Sequence, residues 1–375
     1  RNVIIAHAKA SESESKLNAA MNLARINKVE LSTFDADPRL FNIRNGTLNL
    51  ETGGFQEHRR EDYIMQMANV DYDPKAECPT FHEYLKKVFP DPEIQEHLQR
   101  FVGYSMTGNM GERKFRVDWG QLARNGKSTL YRTIRKLFGD YALTVTFEMF
   151  SAVRAGQIRN DLAALAGKRL VMAIESATKL ELDVNMLKGI TGGDEQQARF
   201  LFLEYFNFYP QCKLWMATNN KATITEGSNA IWDRMHIVEW PVRISDDEEI
   251  KDYAEKFLFP ELPGILNWAI DGYKKWKEHG FEPLPKEIKN AVEAYRREEY
   301  ALQDFLDEHC VVGGADLEEK FASLYDRYMV WALASGTSSR FMLRRKGFAL
   351  KLRERFRYRE SGGWKIYIGL RLKSA

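Results

Sequence analysis

The sequence predicts an α/β chain organised on a parallel sheet, with a mainly helical region before the sheet and a basic tail after it. Three observations predict this. Short apolar runs alternate with helical stretches between Phe115 and Trp240. An Asn125-Gly126-Lys127-Ser128-Thr129 segment joins the first of those runs to a helix. From Pro79 to Met106, apolar residues (Phe81, Tyr84, Leu85, Val88, then Ile94, Leu98, Phe101, Val102) recur at helical spacings of three and four.

Taken in order, residues 1 to 34 read as mostly helical with a polar start, Ser11-Glu12-Ser13-Glu14-Ser15. Asp35-Ala36-Asp37-Pro38 and Asn45-Gly46 mark turns, and Thr47-Leu48-Asn49-Leu50 with Thr52-Gly53-Gly54 predicts a hairpin. The expected strands of the sheet are Phe115–Trp119, Arg169–Ile174, Lys213–Thr218 and Met235–Trp240, with a helix from Ser128 to Phe138. Pro283-Leu284-Pro285 reads as a linker. Helices are expected from there to about Glu354, then a hairpin of Arg355–Arg359 and Trp364–Leu370 turning at Ser361-Gly362-Gly363. The expected division is 1–110, 111–282 and 283–375.

Composition narrows the class. With 44% hydrophobic and 12% aromatic residues the chain can build real cores. No apolar run approaches a membrane span, and the start does not read as a signal peptide. Cys78, Cys212 and Cys310 are few and far apart, which suits a reducing cytosol and no disulfide framework or paired-cysteine metal site. The chain begins at Arg1, as a piece of a longer protein would. The net charge of +2 conceals a one-sided tail. From Arg340 to Ala375 there are twelve Lys/Arg against two acids, Glu354 and Glu360, which predicts a polyanionic partner or a strongly solvated face.

The strand–loop–helix around Asn125, Gly126, Lys127, Ser128 and Thr129 has the context of a phosphate-binding loop. There Lys127 would reach the β- and γ-phosphates of ATP, and Ser128 would hold Mg²⁺. An ordinary turn into a helix is the competing reading. The pattern wants glycine five residues before Gly126, where Gln121 stands; Gly120 is one residue too early, and Leu122-Ala123 occupy a region often rich in glycine. Three further positions fit the same site. Glu175 follows a buried apolar run and would emerge at the sheet's ligand-binding edge, to polarise water or hold Mg²⁺, unless it is a strand-end ion-pair carboxylate. Asn219 caps another run and would orient the γ-phosphate or water, unless it only forms a turn. Arg234 immediately precedes a strand and could serve a neighbouring subunit's site, unless it is an ordinary surface arginine.

The order of these features resembles superfamily 3 helicases of the phage/plasmid primase-helicase family, which includes poxvirus relatives. The resemblance runs from about residue 35 to 370. Asp35-Ala36-Asp37-Pro38, Asn45 to Gly53, Tyr72-Asp73-Pro74 and Gly103 to Gly108 look like the family's accessory region. Leu187-Lys188-Gly189-Ile190-Thr191-Gly192-Gly193-Asp194, Ala198-Arg199-Phe200 and Lys213 to Asn219 look like the motif that includes its DNA-contacting hairpin. The resemblance implies an AAA+-like ATPase domain, usually hexameric, tracking single-stranded DNA through a channel. It places Lys127 and Ser128 on Walker A, Glu175 on Walker B, Asn219 on sensor 1 and Arg234 on the arginine finger. Lys188, Arg199 and the Phe200–Phe208 segment become candidate channel contacts, although Phe200, Phe202, Phe206 and Phe208 also alternate as a core strand would. Against the family's G-x-G-x-N-G-K-S-T form, the loop here is one residue longer and lacks the middle glycine.

Phe321, Leu324, Tyr325, Tyr328, Trp331 and Ala332 share a helical face, and a second helix over Arg340–Arg353 precedes the final hairpin. This resembles the winged helix-turn-helix domain that the family often carries at its C-terminus, with Arg344, Arg345, Lys346 and Lys351 as candidate DNA contacts. The implied function is an ATP-dependent helicase of phage or plasmid replication, acting in the host cytoplasm on single strands in its channel and duplex at the fork. A primase or primase-polymerase domain would lie upstream. Two other readings compete. An ATPase-weak or ATPase-dead DNA-binding assembly platform that supports a primase-polymerase is favoured by the altered loop and opposed by Glu175, Asn219 and Arg234; a nucleotide kinase is opposed by the basic tail.

Overall fold

The computed structural model describes residues 11, 13–24, 33–120, 122, 124–151, 160–174, 181–200, 204–222, 224, 229–245, 247–314, 316–334 and 342–373. Helix α1 (Glu14–Ala24) is followed by a small antiparallel sheet of β1 (Leu40–Ile43), β2 (Gly46–Asn49) and β3 (Gly54–Gln56), at the expected hairpin. Two helices, α2 (Pro79–Val88) and α3 (Pro92–Ser105), fill the stretch read as helical. Proline at each start costs no helical hydrogen bond, and Asp91 caps α3 by accepting from Glu93 N at 2.8 Å.

The central sheet has five strands: β4 (Phe115–Trp119), β5 (Ala142–Thr146), β6 (Leu170–Ile174), β9 (Lys213–Thr218) and β10 (Met235–Glu239). Their order is β10-β4-β9-β6-β5, and every pairing is parallel. Each crossover therefore carries helices, and the inner strands β4, β9 and β6 are covered on both faces. That is why β6 and β9 read as continuous apolar runs. Helix α4 (Lys127–Phe138) follows β4, and α5 (Val184–Gly192) follows β6. A short hairpin of β7 (Gln196–Ala198) and β8 (Phe206–Phe208) stands between α5 and β9.

One face of the sheet packs against α2, α3, α4 and the long α6 (Leu262–His279) in a single apolar cluster. Phe41, Phe81, Leu85 and Phe101 share that cluster with Leu130, Ile134 and Trp215, so the N-terminal region closes its core on the sheet rather than alone. Helices α3 and α6 touch backbone to backbone: a Cβ on Gly103 would lie 2.0 Å from Tyr273 N, and one on Gly272 2.0 Å from Gln99 O. At the N-terminal edge of the sheet two buried cations tie in the loops. Arg169 donates to Pro38 O (3.0 Å), Met106 O (2.7 Å) and Asp37 O (3.1 Å), while Lys213 donates to Thr107 O (2.5 Å). Burial drives the pKa of Lys213 well down. Between α3 and β10, buried His97 and His236 meet at 3.0 Å, and burial pushes His236 down to about 3.

The other sheet face is covered by α5 and by the first half of α7 (Lys286–His309), through Ala291 and Tyr295. The second half of α7 (Leu302, Phe305, Leu306) enters a third cluster with α8 (Phe321–Ala334), α9 (Arg345–Arg355) and strand β14 (Trp364–Ile368). Strand β14 pairs with β12 (Glu318–Lys320) and with β13 (Arg357–Ser361); the latter pair is the expected terminal hairpin. Strands β11 (Cys310–Val312) and β15 (Leu370–Leu372) close this unit. The proline-rich segment at 283–285 is thus followed by one helix that belongs to two cores. No described helix is long and apolar enough to cross a membrane.

Candidate functional site

The connection from β4 to α4 lies at the C-terminal edge of the sheet, where open parallel sheets bind ligands. Its local structure is set by side chains as much as by glycine. Asn125 Nδ2 donates to Leu122 O (2.8 Å), and its Oδ1 accepts from Lys127 N (3.2 Å), bracing the loop from inside. Gly126 adopts φ +91°, and a Cβ there would lie 2.7 Å from Val88 Cγ1. Any other residue would be both strained and in collision with α2. Tyr84 of α2 donates its hydroxyl to Gly126 O at 2.8 Å, and burial raises its pKa, so it stays a neutral donor.

Beneath the loop, Arg116 and Asp118 form a fully buried ion pair, with Nη2 2.8 Å from Oδ1. Asp118 also accepts from Tyr131 Oη on α4 (2.8 Å) and from Trp240 Nε1 (2.7 Å). The guanidinium of Arg116 lies over Trp215, 5.4 Å from the ring centre. A buried pair is tolerable only when its remaining atoms are satisfied, and these neighbours supply most of that. The network ties β4, α4 and the end of β10 together under the loop.

A cavity of about 400 Å³ opens above, lined by Asn125, Lys127, Ser128, Ile174, Thr218 and Asn219 among others. Lys127 Nζ donates to Thr218 O (2.9 Å) and Asn219 Oδ1 (2.8 Å), with Gly120 O at 3.4 Å. Strand β4 pairs directly with β9, which is why a lysine from one loop reaches the tip of the other strand. Ser128 is exposed at the start of α4, and Thr129 is half-buried with its amide bonded to Gly126 O at 3.0 Å. Glu175 lies outside the described residues; Ile174, the residue before it, lines the cavity.

Arg234 is elsewhere. It precedes β10 and so sits at the opposite, N-terminal edge of the sheet, where its Nη1 donates to Lys188 O (2.5 Å) and Thr191 Oγ1 (2.9 Å). Partial burial and Arg113 lower its pKa. The structure therefore joins Arg234 with Lys188 and α5, not with Lys127 in the same chain. Sequence reasoning also missed Arg124, Arg132 and Arg135, which line the cavity. The signal was available: Arg124 stands inside the loop, and Arg132 and Arg135 follow Ser128 at helical spacing.

Two other surfaces carry cations beside exposed rings. Next to the β7–β8 hairpin, Arg199 lies 4.8 Å from the Tyr205 ring, and Phe200 stacks on Phe206 at 5.7 Å. Phe200, Tyr205 and Tyr209 are exposed, so that end of the segment is not a core strand. In the C-terminal unit Arg344, Arg345 and Lys346 are exposed at the start of α9. Lys351 differs: it is paired with Glu299 of α7, whose side chain is 2% exposed, so it faces the interior instead of solvent. Arg359 is paired with Glu318 at 2.8 Å.

Residues 2–90 match a family model described as D5 N terminal like, and residues 119–234 match a family of unknown function, DUF5906. A "Putative helicase" of Acanthamoeba polyphaga mimivirus is 26% identical over 320 residues, covering 80% of this chain and 33% of that protein. A "Putative primase" of African swine fever virus is 21% identical over 328 residues, covering 80% and 34%. The chain thus spans about a third of the length of these curated relatives. The solved apo structure of the NrS-1 C terminal region is 12% identical and covers 89% of this chain and 82% of its own, with a TM-score of 0.47.

Proposed function

The chain belongs to the D5-like primase-helicase family, and from that premise we propose that it is the ATP-driven motor portion of a viral or plasmid-type replication protein. A replication role of the helicase/primase class is what its relatives' names support; ATP-driven translocation on DNA is the further step. The observation that carries it is Lys127, gathered with Asn125, Ser128 and Asn219 into one cavity at the ligand-binding edge of a parallel sheet.

The residues suit a nucleotide triphosphate. The described lining holds four cations (Arg124, Lys127, Arg132, Arg135) and no carboxylate, which matches a polyanion. ATP with Mg²⁺ would supply the transferable phosphoryl group and its charge neutralisation. Lys127 would exchange its contacts with Thr218 O and Asn219 for phosphate oxygens. Ser128 and Glu175 would hold the ion, whose other ligands are typically water and phosphate. Asn219, freed from Lys127, would orient the attacking water.

Arg234 lies a sheet's length from Lys127 in its own chain, so it acts only if a neighbouring subunit brings it in, as in a ring. Arg199 with Phe200 and Tyr205 suits single-strand DNA by charge and stacking. The C-terminal order of α7, β12, α8, α9, β13 and β14 suits a winged-helix reading, in which Arg344, Arg345 and Lys346 would stand at the start of the second helix of the helix-turn-helix. The test is ATP hydrolysis by the purified chain with and without single-stranded DNA. DNA-stimulated turnover that Lys127→Ala abolishes, with DNA binding kept, is expected. DNA binding without turnover would instead support the platform reading, which the loop's missing glycine and its exposed Leu122 favour.

A further inference from the structure

We propose that Arg124 is a second phosphate ligand of the nucleotide site, held by Glu249 and handed over when a triphosphate binds. This rests on the nucleotide reading above and goes beyond it. The loop lacks the glycines that let backbone amides close around phosphates, so another source of attraction is needed. Arg124 stands directly before Asn125 and lines the same cavity as Lys127 and Ser128.

Its backbone is committed to that position. Arg124 adopts φ +61°, a left-handed conformation that favours glycine, and such residues concentrate at functional loops. Its carbonyl accepts from Ile244 N at 2.8 Å, which fixes the loop to the segment after β10. The side chain forms a solvated ion pair at the cavity rim. Arg124 Nε lies 3.3 Å from Glu249 Oε2, and the two side chains are 43% and 52% exposed. An ion pair this solvated adds little stability. A phosphate offers the guanidinium a charge-assisted, two-pronged contact inside a cavity, a better partner than a carboxylate at its rim. Glu248 beside it is already engaged by Lys87 at 3.1 Å and Ser245 at 2.9 Å, so the segment stays anchored after Glu249 lets go.

The exchange predicts opposite signs for the two partners. Binding of ATP and of inorganic tripolyphosphate is measured for the whole chain and for Arg124→Ala, Arg124→Lys and Glu249→Gln. Arg124→Ala should weaken both ligands by about tenfold to a hundredfold, the loss of a hydrogen bond to a charged group. Arg124→Lys should recover part of this. Glu249→Gln, which removes this competing ion pair, should tighten both by up to about fivefold. Unchanged binding by Arg124→Ala overturns the proposal and leaves the nucleotide reading standing. Loss of ATP but not tripolyphosphate places Arg124 at the base or ribose and also overturns it. Weakening by Glu249→Gln as well as by Arg124→Ala shows a merely structural pair. No binding of either ligand by the unaltered chain overturns the nucleotide reading itself.

Discussion

Lys351→Met removes the ammonium that Glu299 faces across the α7–α9 contact. Glu299 is 2% exposed and Lys351 18%, so the pair is largely withdrawn from water. Deleting one partner of a buried pair typically costs about 3–5 kcal/mol, because a charge is left without compensation. Water reaches the lysine end here, which places the expected loss near the lower figure, about 3 kcal/mol. Burial raises the pKa of Glu299, and Lys351 pulls it back; in the variant burial acts with less opposition. A raised carboxyl pKa means that its contribution is present below the unfolded value and is lost as pH rises through the folded one. The deficit should therefore be small near pH 4 to 5, roughly the ordinary carboxyl range, and full at pH 8. Hydrogen exchange of the α9 amides reads this directly as a local opening energy. Glu299→Met with Lys351→Met should return protection to within about 1 kcal/mol, since a buried pair can be replaced by apolar groups at little cost. A deficit below about 1 kcal/mol at pH 8, or one equal at both pH values, would refute the reasoning. The double variant should also bind DNA as the parent does, because Lys351 is spent on packing.

Three other outcomes follow from the geometry. Arg234→Ala should abolish ATP turnover, and mixing it with Lys127→Ala subunits should restore some activity; no rescue at any ratio counts against a shared site. Replacing Arg344, Arg345 and Lys346 by Ala should lower the slope of log affinity against log salt by about 2 to 3 for duplex DNA, one increment per phosphate contact. An unchanged slope removes them from the interface. Gly126→Ala should lose nucleotide binding, because φ +91° and Val88 both oppose a Cβ; retained affinity would show that α2 yields at that point.

Much of the frame was legible because it depends on local pattern. The runs at 115–119, 169–174, 213–218 and 235–240 contain four of the five parallel strands, and the helical spacing at 79–106 became α2 and α3. The strand Ala142–Thr146 was not read. It is the sheet's edge, its burial is uneven, and its threonines weaken the apolar signal that a central parallel strand carries. Lys127 was legible as a phosphate-loop residue and Asn219 as the cap of a strand. Their mutual contact was not, since it requires β4 and β9 to be neighbours. The same limit applies to charge. The twelve basic residues of the tail look alike in sequence, yet only the fold shows that Lys351 and Arg359 meet Glu299 and Glu318 while Arg344, Arg345 and Lys346 stay exposed. Arg116, Asp118, Arg169 and Lys213 are buried within or beside strands, where periodicity alone offers no reason to expect a charge.

The unread continuity of α7 bears most on how such a motor would work. Two residues beyond Asn219, Lys221 pairs with Glu298 of α7 at 2.8 Å and lies 4.6 Å from the Trp119 ring and 5.3 Å from the Tyr295 ring. The next residue of the helix, Glu299, holds Lys351 of α9, and Gln303 one turn on meets Arg355. About two turns of one helix therefore touch both the strand tip that receives Lys127 and the helix that presents Arg345 and Lys346. Adjacency alone carries no signal; coupling requires an element whose equilibrium both ends bias. If α7 is that element, its effect is reciprocal: nucleotide that tightens DNA binding must itself be tightened by DNA by the same factor. Lys221→Met would then erase both effects together while each ligand still binds alone, whereas loss of only one would assign the contact to stability of that site.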